Sequence, residues 1–318
     1  MNGWMGSIIR VNLTNETIKT EPLNMEDAKL YLGGRGLGSK IYTDEVEPKV
    51  DALSPENKLI FMTGPLTGTP AASAGRYEVV TKSPLSDTIG AFSSGGHFGP
   101  ELKYAGFDGI IFEGKAKKPL YLYINNDHSE LRDASHIWSK EVPATTEELL
   151  KETEEDAKVA CIGTAGEKPI SSAAVMNSKN LKAIVVKGTQ SIKVAKKKPF
   201  LDSCMDVRAK LKANPVMAGG LSTERNRGCI GCSVGCGRAG QRFGEGPEYE
   251  KSSQHLTAVA DSVGICQVTT FAVGLPEIAQ MVRTCTGIDY TDEEVLQIGE
   301  RIWNLEKGPH FECVKYLS

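Results

Sequence analysis

The sequence predicts an α+β fold, a sheet-rich first part followed by a helical second part that carries a loop of cysteines. Three observations predict it. From residue 1 to about 190, short β-branched or alternating apolar runs are broken by glycine and proline. The lysine run Lys196-Lys197-Lys198-Pro199 then marks a change of character and reads as a solvated linker or helix entry. Beyond it, apolar residues recur at helical spacing behind capping signals. The chain is divided accordingly into residues 1–195 and 196–318, and 318 residues leave room for two such units, because single cores stop growing at roughly 250 to 300 residues.

Taken in order, the strands expected are Ile8 to Val11, Lys58 to Thr63, Tyr77 to Thr81, Gly109 to Glu113, Leu120 to Ile124, Lys158 to Ile162 and Lys182 to Lys187. Two helices interrupt them. Asn24 caps a stretch ending at Gly33, and Thr145-Thr146-Glu147-Glu148 is a capping box that opens a helix over Glu147 to Glu155. In the second part, Pro276 in a first turn and Gly287 as a stop delimit a helix with apolar Ile278, Ala279, Met281 and Val282. Thr291-Asp292-Glu293-Glu294 opens the next, whose Val295, Ile298, Ile302 and Leu305 share one face that requires a partner surface.

Bulk composition bounds the function. Forty per cent apolar, 24 per cent charged and a net charge of −3 describe a globular chain with no electrostatic pull toward nucleic acid or an anionic membrane. The first residues lack the basic and apolar segments of a signal peptide, and no apolar run approaches the roughly 20 residues of a membrane span, so a cytoplasmic, reducing location is expected. In that setting Asn12-Leu13-Thr14 and Asn15-Glu16-Thr17 read as turn residues rather than glycosylation acceptors.

Eight cysteines in a reducing compartment argue for metal or redox chemistry over a disulfide framework. Cys229, Cys232 and Cys236 sit in one loop as Cys-x-x-Cys-x-x-x-Cys, among Gly228, Gly231, Gly235 and Gly237, and Cys266 follows at a distance. Three thiolates from one short loop and one from far away suit a 4Fe-4S cluster better than structural zinc, which draws its thiolates as separated pairs. Zinc, disulfides and idle thiols stay open, because spacing alone does not identify a metal. Cys161, Cys204, Cys285 and Cys313 are expected to be structural thiols among apolar or helical neighbours.

Two glycine-rich segments lie in the first part. Gly33-Gly34-Arg35-Gly36-Leu37-Gly38 follows a helix-like stretch and is out of register for a dinucleotide fingerprint, so a nucleotide site there is rejected. Ser93-Ser94-Gly95-Gly96-His97-Phe98-Gly99 offers hydroxyls and backbone N–H groups in a turn, and Arg76 heads the strand before it. Both suit an anion such as phosphate, and the two are expected on one surface. Alone they read as a tight turn and a surface arginine, and His97 as a loop histidine.

The cysteine loop and this glycine turn, together with Leu32 to Gly38, Ser54-Pro55-Glu56-Asn57 through Pro65, Lys82-Ser83-Pro84-Leu85, Pro100 to Lys103, Met176 through Ile184, Gly246 to Glu250 and Asp261 to Glu306, give the chain its resemblance. It resembles the tungsten-containing aldehyde:ferredoxin oxidoreductase family over nearly its whole length. The resemblance implies a two-sheet base domain for pterin binding, followed by a helical iron-sulfur region. It further implies a tungsten (or molybdenum) bis-pyranopterin with magnesium bridging the pterin phosphates, a 4Fe-4S cluster, a small aldehyde as substrate and ferredoxin as electron acceptor. Carried over by position, Cys229, Cys232, Cys236 and Cys266 are the cluster ligands. Arg76, Ser93 and Gly95 are the phosphate and magnesium contacts, with Ser93 where some members have asparagine. Asp261, Ile265 and Cys266 match the second of two Asp-x-x-Gly-Leu/Ile motifs that grip the pterin rings.

The chain also departs from the family pattern. Glu250 to His255 joins two segments that a large helical block normally separates, so the first Asp-x-x-Gly-Leu motif and the catalytic histidine segments have no counterpart, and no catalytic residue is assigned. A glycine-rich loop with a phosphate-binding arginine is lacking at Ile170 to Val175. The shortened chain is expected to hold its cofactor weakly, to turn over little alone, and to leave helical apolar faces open to association, including a homo-oligomer. Two alternatives accompany the oxidoreductase reading: an aromatic thioester reductase-type subunit of the same fold group, and an inactive cluster-binding remnant or partner subunit.

Overall fold

The computed structural model describes residues 1–167, 172–214 and 247–308. The first part forms two mixed sheets. One contains β1 (Ser7–Asn12), β2 (Thr17–Pro22), β3 (Leu59–Thr63), β4 (Tyr77–Lys82), β5 (Ile89–Ser94) and β6 (Gly109–Glu113), in the order β2-β1-β6-β3-β4-β5. The other contains β7 (Leu120–Asn125), β8 (His128–Asp133), β9 (Lys158–Cys161) and β10 (Leu181–Lys187), in the order β8-β7-β10-β9. Within each sheet one pair is parallel, β1 with β6 and β7 with β10; the remaining pairs are antiparallel.

The central strands are buried on both faces, which is why they read as nearly continuous apolar runs. Phe61, Tyr77, Val79, Ile110 and Phe112 of the first sheet share one core with Leu120, Leu122, Ile184 and Val186 of the second. Alternate residues Ile60, Met62, Val80 and Ile111 point the other way, against α1 (Met25–Tyr31) and α2 (Gly34–Glu45). The outer face of the second sheet is covered at Leu149 by α4 (Val142–Glu152). Short helices α3 (Phe98–Tyr104) and α5 (Ser172–Ser178) lie with the shared core through Phe98, Leu102, Val175 and Met176.

Three strands escaped the sequence pattern, β2, β5 and β8, and all are edge strands. The polar Thr17–Pro22 and His128–Asp133 are paired by short hairpins and need no apolar alternation. Asn24 caps α1 as expected, its side chain accepting from Glu26 N and Asp27 N. That helix ends at Tyr31, two residues before the expected Gly33, and a second helix, α2, which the sequence pattern did not show, begins at Gly34. Likewise α4 starts at Val142, ahead of the expected Glu147, because Pro143 in its first turn is already set for helix.

The second part is helical: α6 (Lys197–Ala213), α7 (Pro247–Val263), α8 (Leu275–Thr286) and α9 (Asp292–Glu306). The lysine run is therefore a helix entry. Gly287, at φ 79°, ends α8, and the Thr291 capping box opens α9 with reciprocal bonds of 2.6 and 3.1 Å to Glu294. Val295, Ile298 and Ile302 are buried in one core with Ala258, Val259 and Val263 of α7. The expectation of an uncovered stripe on α9 is thus corrected, since α7 and α2 pack against it. Cys204 and Cys285 are buried, Cys161 is half-buried, and burial raises all three thiols, as structural cysteines require; Cys313 lies outside the described residues.

The glycine segment rejected as a nucleotide site has a packing role. Gly34 has φ +40°, and a Cβ there would sit 2.1 Å from the Asp261 carbonyl oxygen. The Gly36 N–H donates to Ser262 Oγ at 2.9 Å, so α2 starts against the backbone at the end of α7. Gly34→Ala is expected to cost more than about 2 kcal/mol, by steric displacement added to a left-handed φ, read as a lower urea midpoint at unchanged m.

Candidate cofactor and metal centre

The end of α7 and the loop after it are bonded to the base over several residues. Leu66 N donates to Val263 O at 2.9 Å, Arg76 N to Gly264 O at 3.2 Å, and Cys266 N to Ser73 O at 3.1 Å. Gly264 has φ +87°, and a Cβ there would lie 2.0 Å from Thr67 Oγ1. These bonds bring Cys266, 7% exposed, to the start of β4, where Arg76 Nη2 donates to its Sγ at 3.0 Å. Ile265 between them is fully buried in the helical core.

Register fixes the remaining base-domain candidates. β4 and β5 are antiparallel with Tyr77 opposite Ser94 and Glu78 opposite Ser93, so Arg76, Ser93 and Gly95 lie at the same end of two adjacent strands. Ser93 is exposed, and Gly96, at φ +98°, has open space around the position of a Cβ. Cys229, Cys232 and Cys236 lie outside the described residues.

Asp261, near the C-terminal end of α7, is buried against two basic and two acidic neighbours. Its Oδ2 is 3.4 Å from Arg35 Nη1, while Oδ1 is buried and accepts no hydrogen bond. Arg35 is also forked onto Glu306, with Nη2 2.5 Å from Oε2. Glu78 is 1% exposed, and neither carboxylate oxygen receives a well-formed hydrogen bond. Burial pushes Glu78 well above the usual carboxylate range and Asp261 adds to this; Ser93, Arg35 and Arg76 offset only part of it. Burial raises Asp261 to about 6 against the opposing pull of Arg35. Two guanidinium groups thus face three carboxyl groups in this region, and the excess of acid together with burial favours the protonated form of the Glu78 and Asp261 pair.

Sequence reasoning brought Arg76, Asp261 and Cys266 into view and missed Arg35, Glu78 and Glu306. Glu78 carried a signal: a lone charge within the otherwise apolar run Tyr77 to Val80. One other group of possible ligands among the described residues, His136, Glu148 and Glu152, is largely exposed and already engaged, His136 with Glu152 at 2.6 Å and Glu148 with Lys140.

With this geometry established, the family models decide the relationship: the N-terminal domain of aldehyde ferredoxin oxidoreductase matches residues 8–188, and domains 2 and 3 match residues 251–313. The chain belongs to the aldehyde ferredoxin oxidoreductase family. It is 44% identical over 316 residues to the tungsten-containing aldehyde ferredoxin oxidoreductase of Pyrococcus abyssi, with 79% of this chain and 52% of that protein covered. It is 37% identical over 221 residues to the WOR-like subunit of aliphatic sulfonate oxidoreductase from Pyrococcus furiosus, covering 59% and 35%. Among solved structures, the active site complex BamBC of benzoyl coenzyme A reductase with 1,5-dienoyl-CoA matches with a TM-score of 0.70 and 28% identity over 93% of this chain and 59% of that one. The chain therefore spans about half the length of the first aldehyde oxidoreductase it matches. No helix among the described residues is long and apolar enough to cross a membrane.

The buried carboxyl pair sets a pH dependence for this family member. Raised folded values mean that the native state binds more protons than the unfolded chain, so the pair's contribution is complete below about pH 4 and is lost as pH rises through about 6 and beyond. Glu78→Gln in the cofactor-free chain is expected to flatten that decline, so that urea midpoints at pH 5 and pH 8 converge relative to wild type.

Proposed function

We propose that this chain provides the base and the cluster-side flank of a tungsten (or molybdenum) pterin oxidoreductase of the aldehyde-oxidising type, with a 4Fe-4S cluster relaying electrons to ferredoxin. The single observation that carries this reading is the 3.0 Å contact of Arg76 Nη2 with Cys266 Sγ, which joins the phosphate-binding candidate of the base to the fourth ligand candidate of the cluster. The residues present suit those groups: Asp261 Oδ1 is a buried acceptor without a donor, as a cofactor with a ring N–H group requires. When bound, the metal–pterin centre supplies two-electron chemistry at the aldehyde carbon, and the cluster supplies single-electron steps.

The chain's own residues have distinct tasks in this reading. Arg76 places a fixed positive charge on a sulfur that carries negative charge as a ligand, and its position at the head of β4 is set by the backbone bond to Gly264. Asp261 accepts from ring N–H groups through Oδ1. Ser93 and Gly95, at the adjacent strand end, offer hydroxyl and backbone contacts to phosphate and its magnesium. Cys266 closes a cluster whose other thiolates come from Cys229, Cys232 and Cys236. A second reading, an aromatic thioester reductase-type subunit, is favoured by the 93% coverage in the benzoyl coenzyme A reductase comparison.

Anaerobic purification is expected to give a brown protein with close to four iron and four sulfide per chain, as four thiolate ligands imply. Tungsten or molybdenum bound with that iron supports either oxidoreductase reading; iron alone identifies a cluster-binding subunit. Cys266→Ala is expected to lose the intact cluster, seen as bleaching near 400 nm on the order of the whole charge-transfer band. A colourless, zinc-loaded protein refutes the assignment. Viologen reduction with a simple aldehyde, compared with oxidation of reduced viologen by benzoyl-CoA, separates the two reactions.

A further inference from the structure

Arg35 is held from several directions at once. Its Nε lies 2.9 and 3.1 Å from the two oxygens of Glu306, Nη2 is 2.5 Å from Glu306 Oε2, and Nη1 is 3.4 Å from Asp261 Oδ2. Glu306 is itself fixed by the Ser39 hydroxyl at 2.9 Å, and the Trp303 ring lies 5.8 Å from the guanidinium carbon. A tie between α2 and α9 needs only the fork between Arg35 and Glu306, which is bidentate already. The third contact goes to Asp261, on a different helix, and engages one carboxylate oxygen while the other stays buried without a donor. Glu78, 1% exposed, is buried beside it with the Ser93 hydroxyl as its side-chain partner. Buried acceptors left without donors in a native fold call for a partner outside the described chain.

We propose that Arg35 is a positioning residue for Asp261, engaging Oδ2 so that Oδ1, with Glu78 beside it, is presented as the acceptor for the N–H groups of a bound nitrogen heterocycle. This rests on the reading of Asp261 as a cofactor contact. Lysine cannot reproduce the arrangement, because a point charge lacks the planar fork that serves two carboxylates together.

The test titrates the cofactor-free 318-residue chain with unsubstituted pterin, followed by quenching of its fluorescence, and in parallel follows Asp261 by NMR with carboxyl-¹³C aspartate. Arg35→Lys is expected to weaken pterin binding roughly tenfold, on the order of one lost charge-assisted hydrogen bond. Arg35→Met should weaken it further and move the Asp261 titration upward, since its principal positive neighbour is gone. Melting temperatures read alongside separate positioning from support of the fold. A folded Arg35→Met protein that binds pterin like wild type and leaves the Asp261 titration unmoved overturns the proposal. Should Arg35→Met fail to fold, Arg35→Lys carries both readouts on the same criteria. If the wild-type chain binds no pterin, the cofactor reading of Asp261 fails, and the NMR arm alone decides the role of Arg35: an unshifted Asp261 overturns it, a shifted one supports it.

Discussion

The site depends on backbone-to-backbone contact between the end of α7 and the base. A Cβ at Gly33 would stand 3.1 Å from Ser262 O, one at Gly34 2.1 Å from Asp261 O, and one at Gly64 2.2 Å from the Val263 carbonyl carbon. Contacts of this kind leave no side chain between the two parts to adjust. The positions of Asp261 and Cys266 are therefore set by the path of the main chain, and Arg76 is fixed to that same path by its own N–H on Gly264. A site assembled from two parts of the chain requires such rigidity, because its geometry must be held within about half an ångström to be useful.

The buried charges divide into two kinds by how they are satisfied. Lys179 donates to the carbonyls of Pro55, Asn57 and Gly114 at 3.2, 2.5 and 2.9 Å, and Lys182 to those of Lys140 and Ile162 at 2.8 and 2.7 Å. Burial lowers Lys179 to about 8, and its carbonyl shell is the structural answer to an otherwise costly ammonium. Lys103 is treated similarly, meeting Gly3 O, Gly64 O and Asp108 at the chain start. Glu78 and Asp261 have no equivalent shell. Burial that serves packing is accompanied by partners within the fold, whereas these carboxyl groups keep unmet acceptors at the junction where Arg76 meets Cys266.

Legibility in the sequence followed burial. Strands covered on both faces, such as Leu59–Thr63 and Leu181–Lys187, announced themselves as apolar runs, and the α9 capping box fixed its helix start. Edge strands β2 and β8 gave no such pattern, since hairpin pairing rather than a hidden face creates them. The helical start at Gly34 was hidden in the Gly33 to Gly38 segment because glycine propensity is local, while the reason for these glycines is the distant backbone of Asp261 and the side chain of Ser262. Arg35 and Glu306 are 271 residues apart, and no local pattern could show that they share a salt bridge. Cys266 and Arg76, 190 residues apart, were each legible only as fragments of motifs, and the fold brings them into contact.

The same region joins the two parts of the matched architecture. The two family models cover residues 8–188 and 251–313, and the bonds between Gly64–Arg76 and Val263–Cys266 join the two stretches. The base contributes Arg76 from the head, and Glu78 from the interior, of a strand buried along its whole length. The helices contribute Asp261 and Cys266 from a segment pressed onto glycines. Neither stretch alone contains a charge-balanced set: Arg35, Arg76 and Glu78 come from the first, Asp261 and Glu306 from the second. Docking of the two stretches and assembly of the site are consequently coupled, because the carboxyl groups of Asp261 and Glu306 become tolerable when buried only beside a guanidinium supplied by the other part of the chain.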